Sequence, residues 1–219
     1  MYQDNESSEF SRMPKRRKLS EDLAELAPEV QDIPSLIEIA QRKVEYQNLD
    51  SQTLWKILPE LKKLNNMIGM EGLKTTMFYQ IIYYLQNMHK KGQNEYLHTV
   101  ITGPPGTGKT SVAEIIGNIY KNMGVLSSKG SFTLAKREDF IAPYLGQTAI
   151  KTREILEKSL DGILFIDEAH TLIGSGNSAG GLDTANLLKP ALARGELKTI
   201  AATTLGEYKL YLEKDSAFL

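Results

Sequence analysis

The fold of this 219-residue chain is decided by the stretch VITGPPGTGKT at residues 100–110. An apolar strand from Leu97 to Thr102 is followed by a glycine-rich turn and by a Lys-Thr pair that opens a helix. This is the G-x-x-x-x-G-K-[ST] phosphate loop in the strand-loop-helix context that the motif requires. The glycines allow backbone N–H groups and the helix N-terminus to point at a phosphate chain. The sequence therefore predicts a nucleotide-binding site.

The phosphate loop assigns roles to a contiguous set of residues. Lys109 is expected to reach the β- and γ-phosphates and absorb their charge, and the hydroxyl of Thr110 is expected to hold Mg²⁺. The predicted nucleotide-binding residues are Gly103, Pro104, Pro105, Gly106, Thr107, Gly108, Lys109, Thr110 and Ser111. The alternative is a chance glycine-rich turn before a helix, which would have to match four positions of the motif by accident.

A second group of candidate residues ends a short apolar run. The run Ile163–Ile166 is too short for a typical helix and suits a buried parallel strand, and Asp167 and Glu168 follow it directly. In a nucleotide-hydrolysing α/β domain, a carboxylate at this position lies beside the threonine of the phosphate loop and can orient the shell of Mg²⁺. Glu168 is then placed to polarise a water for attack on the γ-phosphate.

Strands and helices alternate through the rest of the chain. Strands are predicted at Phe132–Ala135, Ile163–Ile166 and Lys198–Thr203. Helices are predicted at Gln147–Ser159, near Asp183–Arg194 and from Gly206 onward. This alternation predicts right-handed crossover units in a three-layer α/β fold with a parallel sheet, the arrangement of a P-loop NTPase.

The first 65 residues differ from the rest. Residues 1–30 are expected to form a disordered arm, because they are too poor in apolar residues to offset the entropy of ordering. The arm carries a basic cluster at Lys15–Lys18, which suits a nuclear localisation signal, a contact to nucleic acid or an acidic partner, or a solvated run of charge. Residues 31–65 are expected to form a helical extension in which Pro59 marks a boundary or a first-turn position. Residues 66–219 would form the nucleotide-binding core.

The composition is that of an ordinary globular chain, with 41% hydrophobic and 24% charged residues. No apolar run approaches the ~20 residues that a membrane span needs, and the N-terminus lacks the apolar core of a signal peptide. The absence of cysteine excludes disulfides and thiolate catalysis, and the net charge of −1 gives no general case for nucleic-acid binding. We expect an intracellular, cytoplasmic protein without a membrane partner, with the nucleus left open by the basic cluster.

Residues 66–219 resemble the AAA+ ATPases. The phosphate loop reads GPPGTGKT at residues 103–110, and the acidic strand reads LFIDEAH at residues 164–170. The segments LLKPALARGEL at residues 187–197 and ATTLGEY at residues 202–208 are similar to the first ATPase module of Clp-type unfoldases. The segment YLGQTA at residues 144–149 is instead similar to CbbX-type rubisco activases. The resemblance therefore indicates the superfamily and leaves the subfamily open.

The resemblance implies a role for each matching position. Asp167 and Thr110 support the metal, and Glu168 is the general base. Thr204, at the end of the fourth predicted strand, matches the sensor residue that contacts the γ-phosphate or the attacking water, with Thr203 as the fallback. The implied cofactors are ATP and Mg²⁺.

Further positions are assigned by the resemblance alone. Ile68 and Gly69 match the segment that flanks adenine in the family. Tyr144 matches the aromatic pore-loop residue that grips a polypeptide substrate, although local loop packing would also explain an aromatic beside Gly and Pro. The implied function is ATP hydrolysis that drives protein remodelling or unfolding in a ring-shaped homo- or hetero-oligomer, as a hexamer.

The family places further elements after the point where this chain stops. A fifth strand, trans-acting arginine fingers and a helical lid are not in the sequence, so the chain is expected to be a fragment or to be completed by a partner. An arginine finger is worth ~10³ to 10⁵ in rate, so binding is better supported than fast turnover unless an arginine such as Arg194 acts in trans. The phosphate-loop strand is expected at a sheet edge.

Two other functions stay open. A non-hydrolysing module could use ATP binding as an assembly switch, which the truncated catalytic apparatus favours and Glu168 opposes. The motif Asp-Glu-Ala-His at residues 167–170 also marks the DEAH helicases. Such a helicase needs two α/β domains and this chain has room for one, so His170 is expected to pack or hydrogen-bond behind Glu168.

Overall fold

The structure, a computed structural model, describes residues 30–43, 45–46, 48–88, 98–126, 130–144, 147–173, 181–193 and 197–213. In these ranges the elements follow in the order α1 Ile33–Arg42, α2 Ser51–Asn66, α3 Glu71–Leu85, β1 Thr99–Thr102, α4 Lys109–Asn122, β2 Phe132–Ala135, α5 Arg137–Phe140, α6 Gln147–Ser159, β3 Ile163–Ile166, α7 His170–Ile173, α8 Gly181–Ala193, β4 Lys198–Thr203 and α9 Leu205–Glu207. A π-helix at Tyr208–Leu212 follows α9 directly.

The described strands form one parallel sheet of four strands in the order β1-β4-β3-β2. Thr102 of β1 is paired with Thr203 of β4, and Ile166 of β3 is paired with Ala201 of β4. Because all pairs are parallel, the carboxyl ends of β1, β4 and β3 lie side by side at one edge of the sheet. The predicted strands are confirmed, with β1 beginning at Thr99, and β1 stands at the end of the described sheet as expected.

Alternate residues of the strands contribute to two hydrophobic clusters, one on each face of the sheet. Ile163 and Phe165 of β3 belong to the cluster formed with α1, α2, α3 and α4. Leu164 and Ile166 belong to the cluster formed with α5, α6, α7, α8 and the π-helix. β3 is buried over its whole length, as a strand covered by helices on both faces must be. The predicted three-layer α/β fold is confirmed.

The helices before residue 66 pack onto the helix of the phosphate loop. Leu36 of α1, Ile57 and Leu61 of α2, and Ile116 of α4 are each 0% exposed and belong to one cluster. Burying a side chain of this size stabilises the fold by roughly 1.5–3 kcal/mol. Helices on both sides of the predicted division at residue 65 therefore share one hydrophobic cluster.

A buried tyrosine joins α4 to α3. The hydroxyl of Tyr120 in α4 donates a hydrogen bond to Oε1 of Gln80 in α3 at 2.7 Å. Burial raises the pKa of Tyr120 to about 12, so the hydroxyl keeps its proton and acts as a donor at neutral pH. The helix that begins at the phosphate loop is thus fixed to the helix that precedes β1 in the chain.

The prediction that Pro59 marks a helix boundary or a first-turn position is wrong, because Pro59 lies in the interior of α2. Proline lacks the N–H that would bond to the carbonyl four residues earlier, and its ring normally kinks or ends a helix. Here the buried residues Leu54, Ile57, Leu61 and Leu64 lie on both sides of it. Their burial in the shared cluster outweighs the cost of one missing hydrogen bond.

Other helix bounds differ slightly from the prediction. The helix predicted near Asp183–Arg194 is α8, which begins at Gly181, and the final helical segment begins at Leu205 and continues as a π-helix. The short helices α5 and α7 were not predicted. Within the described ranges, every helix is too short or too polar to cross a membrane.

Candidate nucleotide-binding site

The two predicted groups of site residues meet at the carboxyl end of β4. Gly103, the first residue of the phosphate loop, donates its N–H to the carbonyl of Thr203 at 3.1 Å. On the other side, Ala169 donates its N–H to the carbonyl of Ala202 at 3.0 Å. The loop after β1 and the loop after β3 are therefore both anchored on the last residues of the strand between them.

The phosphate loop has the backbone geometry that an anion requires. Gly106 and Gly108 adopt left-handed conformations, with φ of +76° and +80°, which a glycine adopts without steric cost. Gly108 is the N-cap of α4, and no side chain caps this helix end. The first N–H groups of α4 are therefore directed at the loop without a side-chain acceptor, and they suit phosphate oxygens.

Lys109 lies inside the cradle formed by the loop. Its Nζ donates to the carbonyl of Gly103 at 3.0 Å and to the carbonyl of Pro104 at 2.9 Å. The hydroxyl of Thr107 also donates to the carbonyl of Pro104, at 2.8 Å. These contacts hold the ammonium group beside the N-terminus of α4, where phosphate oxygens would replace the carbonyls as acceptors.

The residues present also fit a magnesium ion. Thr110 in the first turn of α4 and Asp167 after β3 are both half-buried, and Asp167 is fixed by a hydrogen bond of 3.0 Å from its N–H to the carbonyl of Ala135. In the described part of the chain, no group of three or more His, Cys, Asp or Glu residues could hold a metal by itself. A site with one carboxylate and one hydroxyl suits Mg²⁺, which is usually held by few protein ligands together with phosphates and water.

Glu168 has an unusual backbone conformation. Its φ is +51°, in the left-handed region that non-glycine residues rarely adopt. The Thr171 N–H and hydroxyl both donate to the Glu168 carbonyl at 2.8 Å, and the Glu168 N–H donates to Oδ1 of Asp167 at 3.2 Å. The side chain of Glu168 is exposed, so it is accessible to water at the end of β3.

Thr204 lies one residue beyond the end of β4, where it is the N-cap of α9. Its hydroxyl donates to Oε2 of Glu207 at 2.7 Å and accepts from the N–H of Glu207 at 3.3 Å. The hydrogen bond from the Thr204 hydroxyl is the main reason that the pKa of Glu207 lies below its usual value. Thr203, the fallback, is the last residue of β4 and is 2% exposed.

His170 packs and hydrogen-bonds, as expected, but the sequence analysis identified neither its partners nor Glu207. His170 Nδ1 lies 3.1 Å from the Thr203 hydroxyl and 3.1 Å from Oε2 of Glu207, so it hydrogen-bonds at the end of β4. The pattern Thr-x-x-Glu at residues 204–207 is a capping-box signature and could have identified Glu207. No sequence signal would have identified the partner of His170.

Ile68 and Gly69 lie in the bend between α2 and α3. Ile68 is 98% exposed and Gly69 has a φ of +74°. The neighbouring Met67 was not predicted to matter, but its methyl carbon lies 3.5 Å from the position that a Cβ would take at Gly108. The bend therefore lies against the phosphate loop.

Tyr144 lies between α5 and α6 in the chain. Its side chain is 69% exposed, and its carbonyl accepts a hydrogen bond from the N–H of Gln147 at 3.3 Å. The basic cluster Lys15–Lys18 and the candidate Arg194 lie outside the described residues, so their predicted roles stay predictions.

A parallel three-layer α/β fold, a phosphate loop on the strand next to β4 and an acidic pair after β3 together define a P-loop NTPase. The model of the family described as ATPase family associated with various cellular activities (AAA) matches residues 99–210. The chain belongs to this AAA family.

Several proteins are similar to the chain. Stage V sporulation protein K of Bacillus subtilis is 39% identical over 157 residues, which cover 68% of this chain and 48% of that protein. Chaperone protein ClpB of Wolinella succinogenes is 39% identical over 162 residues, which cover 71% of this chain and 18% of that protein. The chloroplastic ClpA homolog of Brassica napus, an ATP-dependent Clp protease ATP-binding subunit, is 43% identical over 167 residues, covering 73% of this chain and 18% of that protein.

These relatives confirm the resemblance to Clp-type proteins. The chain spans about half the length of the sporulation protein and less than a fifth of the length of the two Clp relatives. Among solved structures, the FIGL-1 AAA domain in complex with ADP matches with 18% identity and a TM-score of 0.48, over 65% of this chain and 49% of that chain.

Proposed function

We propose that this chain binds ATP with Mg²⁺ and hydrolyses it to ADP and phosphate. The observation that carries the proposal is the joint anchoring of two loops on β4, through the bonds from Gly103 to Thr203 and from Ala169 to Ala202. Adjacent loops of this kind support one shared site for a phosphate chain and its metal ion. Membership of the AAA family supports the same activity in general.

Each site residue has a distinct part in the proposed reaction. Lys109 and the N–H groups at the start of α4 bind the phosphates, and Thr110 and Asp167 hold Mg²⁺. When bound there, Mg²⁺ would supply positive charge that favours the charge distribution of the transition state. Glu168 accepts a proton from the attacking water. The water attacks the γ-phosphorus in line with the bond between that atom and the bridging oxygen, which breaks.

The preference for ATP is part of the proposal. Ile68 and Gly69 are candidates for the segment beside adenine, which is supported by the position of the neighbouring Met67 close to Gly108 of the phosphate loop. Ile68 is almost fully exposed, so an aromatic base that covers it would remove apolar surface from water.

We further propose that ATP hydrolysis drives the remodelling of a polypeptide in a ring of several copies. This is supported by the names of the relatives, several of which are chaperones, and by the exposed Tyr144. The exposed aromatic ring would bind an extended polypeptide through its apolar faces.

The first test compares the chain with its Glu168→Gln and Lys109→Ala variants. We would measure ATP binding by titration calorimetry, steady-state release of phosphate, and the mass in solution with and without nucleotide. The expected result is that the wild-type chain and Glu168→Gln both bind ATP, and only the wild type hydrolyses it at an appreciable rate. Lys109→Ala is expected to lose most of the binding, since the loop loses its cation.

Two outcomes would separate the proposal from its alternative. Wild-type turnover no faster than that of Glu168→Gln would contradict the enzyme proposal and favour an assembly switch, provided that ATP changes the mass in solution. Equal ATP affinity of the wild type and Lys109→Ala would contradict the assignment of the site itself.

A further inference from the structure

One carboxylate oxygen at the end of β4 is surrounded by four donors. Oε2 of Glu207 lies 2.7 Å from the Thr204 hydroxyl, 3.2 Å from the Thr204 N, 3.3 Å from the Thr203 hydroxyl and 3.1 Å from His170 Nδ1. Because an ionised carboxylate only accepts hydrogen bonds, the two threonine hydroxyls and the Thr204 N–H donate to it, and His170 donates in the tautomer that carries the proton on Nδ1. Glu207 therefore joins the strand end, the N-cap of α9 and the first residue of α7.

Capping of α9 explains only part of this arrangement. A capping box needs the reciprocal bonds between Thr204 and Glu207 and nothing more. The bonds from Thr203 and His170 reach Glu207 from β4 and α7, which are other elements of the fold. Capping of the helical segment that begins at Leu205 therefore does not account for the contacts of Glu207 with Thr203 and His170.

The arrangement fixes the polarity of the Thr204 hydroxyl. A threonine hydroxyl has one proton and two acceptor positions. The proton is donated to Glu207 and one acceptor position receives the Glu207 N–H. The remaining acceptor position belongs to a half-buried side chain at the same sheet edge as the phosphate loop and the acidic pair. In this state Thr204 has no proton to donate to a phosphate oxygen.

The orientation of His170 is fixed on its other side as well. Its ring stacks on the ring of Tyr211 in the π-helix, with centroids 6.4 Å apart and an angle of 23° between the planes. Its neighbour Ala169 is bonded to β4 through the carbonyl of Ala202. The ring of His170 is therefore held close to Glu207 and Thr203, and it links the loop that carries Glu168 to the end of β4.

We propose that Glu207, supported by His170, is a positioning residue for ATP hydrolysis. Glu207 holds the Thr204 hydroxyl as a hydrogen-bond acceptor, so that Thr204 orients the attacking water and does not donate to the γ-phosphate. This proposal rests on the proposed ATPase function and adds two residues to it.

The reaction balances with Thr204 keeping its own proton. The attacking water keeps one O–H group, which donates a hydrogen bond to Thr204 Oγ1, and it gives its other proton to the carboxylate of Glu168. The water oxygen bonds to the γ-phosphorus while the bond from phosphorus to the bridging oxygen of ADP breaks, and ADP leaves with the electron pair of that bond. Glu168 then returns the proton to solvent, and phosphate is released.

The test uses variants that keep the helix cap. Glu207→Gln retains a capping box, because Gln serves at this position as well as Glu, but its amide can donate to Thr204 and no longer fixes the polarity of the hydroxyl. His170→Phe keeps a ring against Tyr211 and removes the donor, whereas His170→Asn keeps a donor near the Nδ1 position. Glu213→Gln makes the same chemical change at an exposed site in the same segment and serves as the control.

We would measure kcat, KM and the affinity for ATP of each variant. Glu207→Gln and His170→Phe are expected to lower kcat about tenfold, a part of the ~10² to 10⁴ that general acid–base catalysis contributes, with ATP affinity unchanged within about twofold. His170→Asn is expected to recover most of the rate, and Glu213→Gln to match the wild type. An unchanged kcat in Glu207→Gln, or a change in KM alone, would contradict the positioning role and leave Glu207 only as a helix-capping residue.

A second readout does not depend on turnover. In a chain labelled with ¹³C at the threonine methyl groups, Glu207→Gln is expected to shift the signals of Thr203 and Thr204, and Glu213→Gln is expected to leave them in place. Unchanged methyl signals in Glu207→Gln would overturn the positioning role even if the wild-type chain failed to hydrolyse ATP. Shifted signals without wild-type hydrolysis would instead overturn the proposed function and leave Glu207 as a positioning residue of a binding site.

Discussion

The left-handed main-chain conformation of Glu168 determines the direction of its side chain. A left-handed conformation at a non-glycine residue costs on the order of 1–3 kcal/mol, and here it is held by two hydrogen bonds of 2.8 Å from Thr171 to the Glu168 carbonyl. Neither bond involves the carboxylate of Glu168. Replacement of the carboxylate by an amide therefore leaves the local backbone intact, which makes Glu168→Gln a selective probe of proton transfer.

At the residue scale, the close packing around Gly162 predicts that a side chain at this position would destabilise the fold. A Cβ at Gly162 would overlap the backbone of Ser131, whose carbonyl oxygen accepts the N–H of Ile163 at 2.9 Å. Backbone atoms at the start of β2 and β3 cannot move apart without breaking the sheet. Gly162→Ala is therefore expected to lower the free energy of unfolding by about 3 kcal/mol, measured by urea denaturation.

Gly72 provides the matched control. It lies in the first turn of α3, and a Cβ there would meet no atom within 4 Å. Gly72→Ala is expected to raise the free energy of unfolding by roughly 0.5–1 kcal/mol, because alanine loses less entropy in a helix than glycine. Equal denaturation midpoints for Gly162→Ala and the wild type would contradict the close approach of the two backbones.

At the element scale, α1 depends on a reciprocal cap. Oδ1 of Asp32 accepts from the Ser35 N–H at 2.9 Å and from the Ser35 hydroxyl at 2.6 Å, and the Asp32 N–H donates to that hydroxyl at 3.1 Å. The Ser35 hydroxyl, followed by the Ser35 N–H, holds the pKa of Asp32 below its ordinary value of 3.8. The ionised carboxylate is therefore the form that stabilises α1.

This cap predicts a pH-dependent stability. Because the pKa is lower in the folded state, the stabilisation is complete above about pH 4 and is lost as the pH falls through the folded-state pKa. Asp32→Ala is expected to cost about 1 kcal/mol near neutral pH. Asp32→Asn keeps an acceptor that does not titrate. In urea denaturation at decreasing pH, the free energy of unfolding of the wild type should therefore fall relative to that of Asp32→Asn. A constant difference across that range would contradict the assignment.

Most elements could be predicted from the sequence because the pattern of apolar and polar side chains reflects which faces of an element are buried. The run Ile163–Ile166 is apolar at every position since both faces of β3 are covered, and this pattern alone identified the strand. The prediction for Pro59 was wrong because the low helix propensity of proline is outweighed by the burial of its neighbours in α2. The four-residue helices α5 and α7 are too short to show a helical period.

At the scale of the whole molecule, the phosphate loop and the acidic pair were predictable because each is a local motif with its own chemistry. The bonds of Glu207 with His170 and Thr203 were not, because His170 reaches them through the packing of α7 against the end of β4. The close approach of Met67 to the phosphate loop at Gly108 has the same origin, since it depends on how α2 packs beside α4. Such contacts depend on the assembled fold and leave no periodic pattern in the sequence.

The proposed ring gives a prediction for Tyr144. Tyr144→Ala is expected to weaken ATP-dependent binding of an unfolded polypeptide by about tenfold or more, the loss typical of an exposed aromatic anchor, with ATP hydrolysis unchanged. The probe is fluorescein-labelled, reduced and carboxymethylated lactalbumin, followed by fluorescence anisotropy.

Tyr79→Ala is the control for this experiment, because Tyr79 is also an exposed tyrosine, at 65%, and lies on α3. It is expected to leave both activities unchanged. Equal loss of hydrolysis and polypeptide binding in Tyr144→Ala, or an equal effect of both substitutions, would count against a gripping role.

The strand order also determines when the site can form. Among the described strands, β1 pairs with β4 alone, so the phosphate loop lacks its anchor at Thr203 until nearly the whole described chain has left the ribosome. α1, α2 and α3 can associate much earlier, because they are close together in sequence. During synthesis the helical layer would therefore keep one apolar side uncovered until β4 has been made, and the ability to hold a nucleotide would arise only after that point.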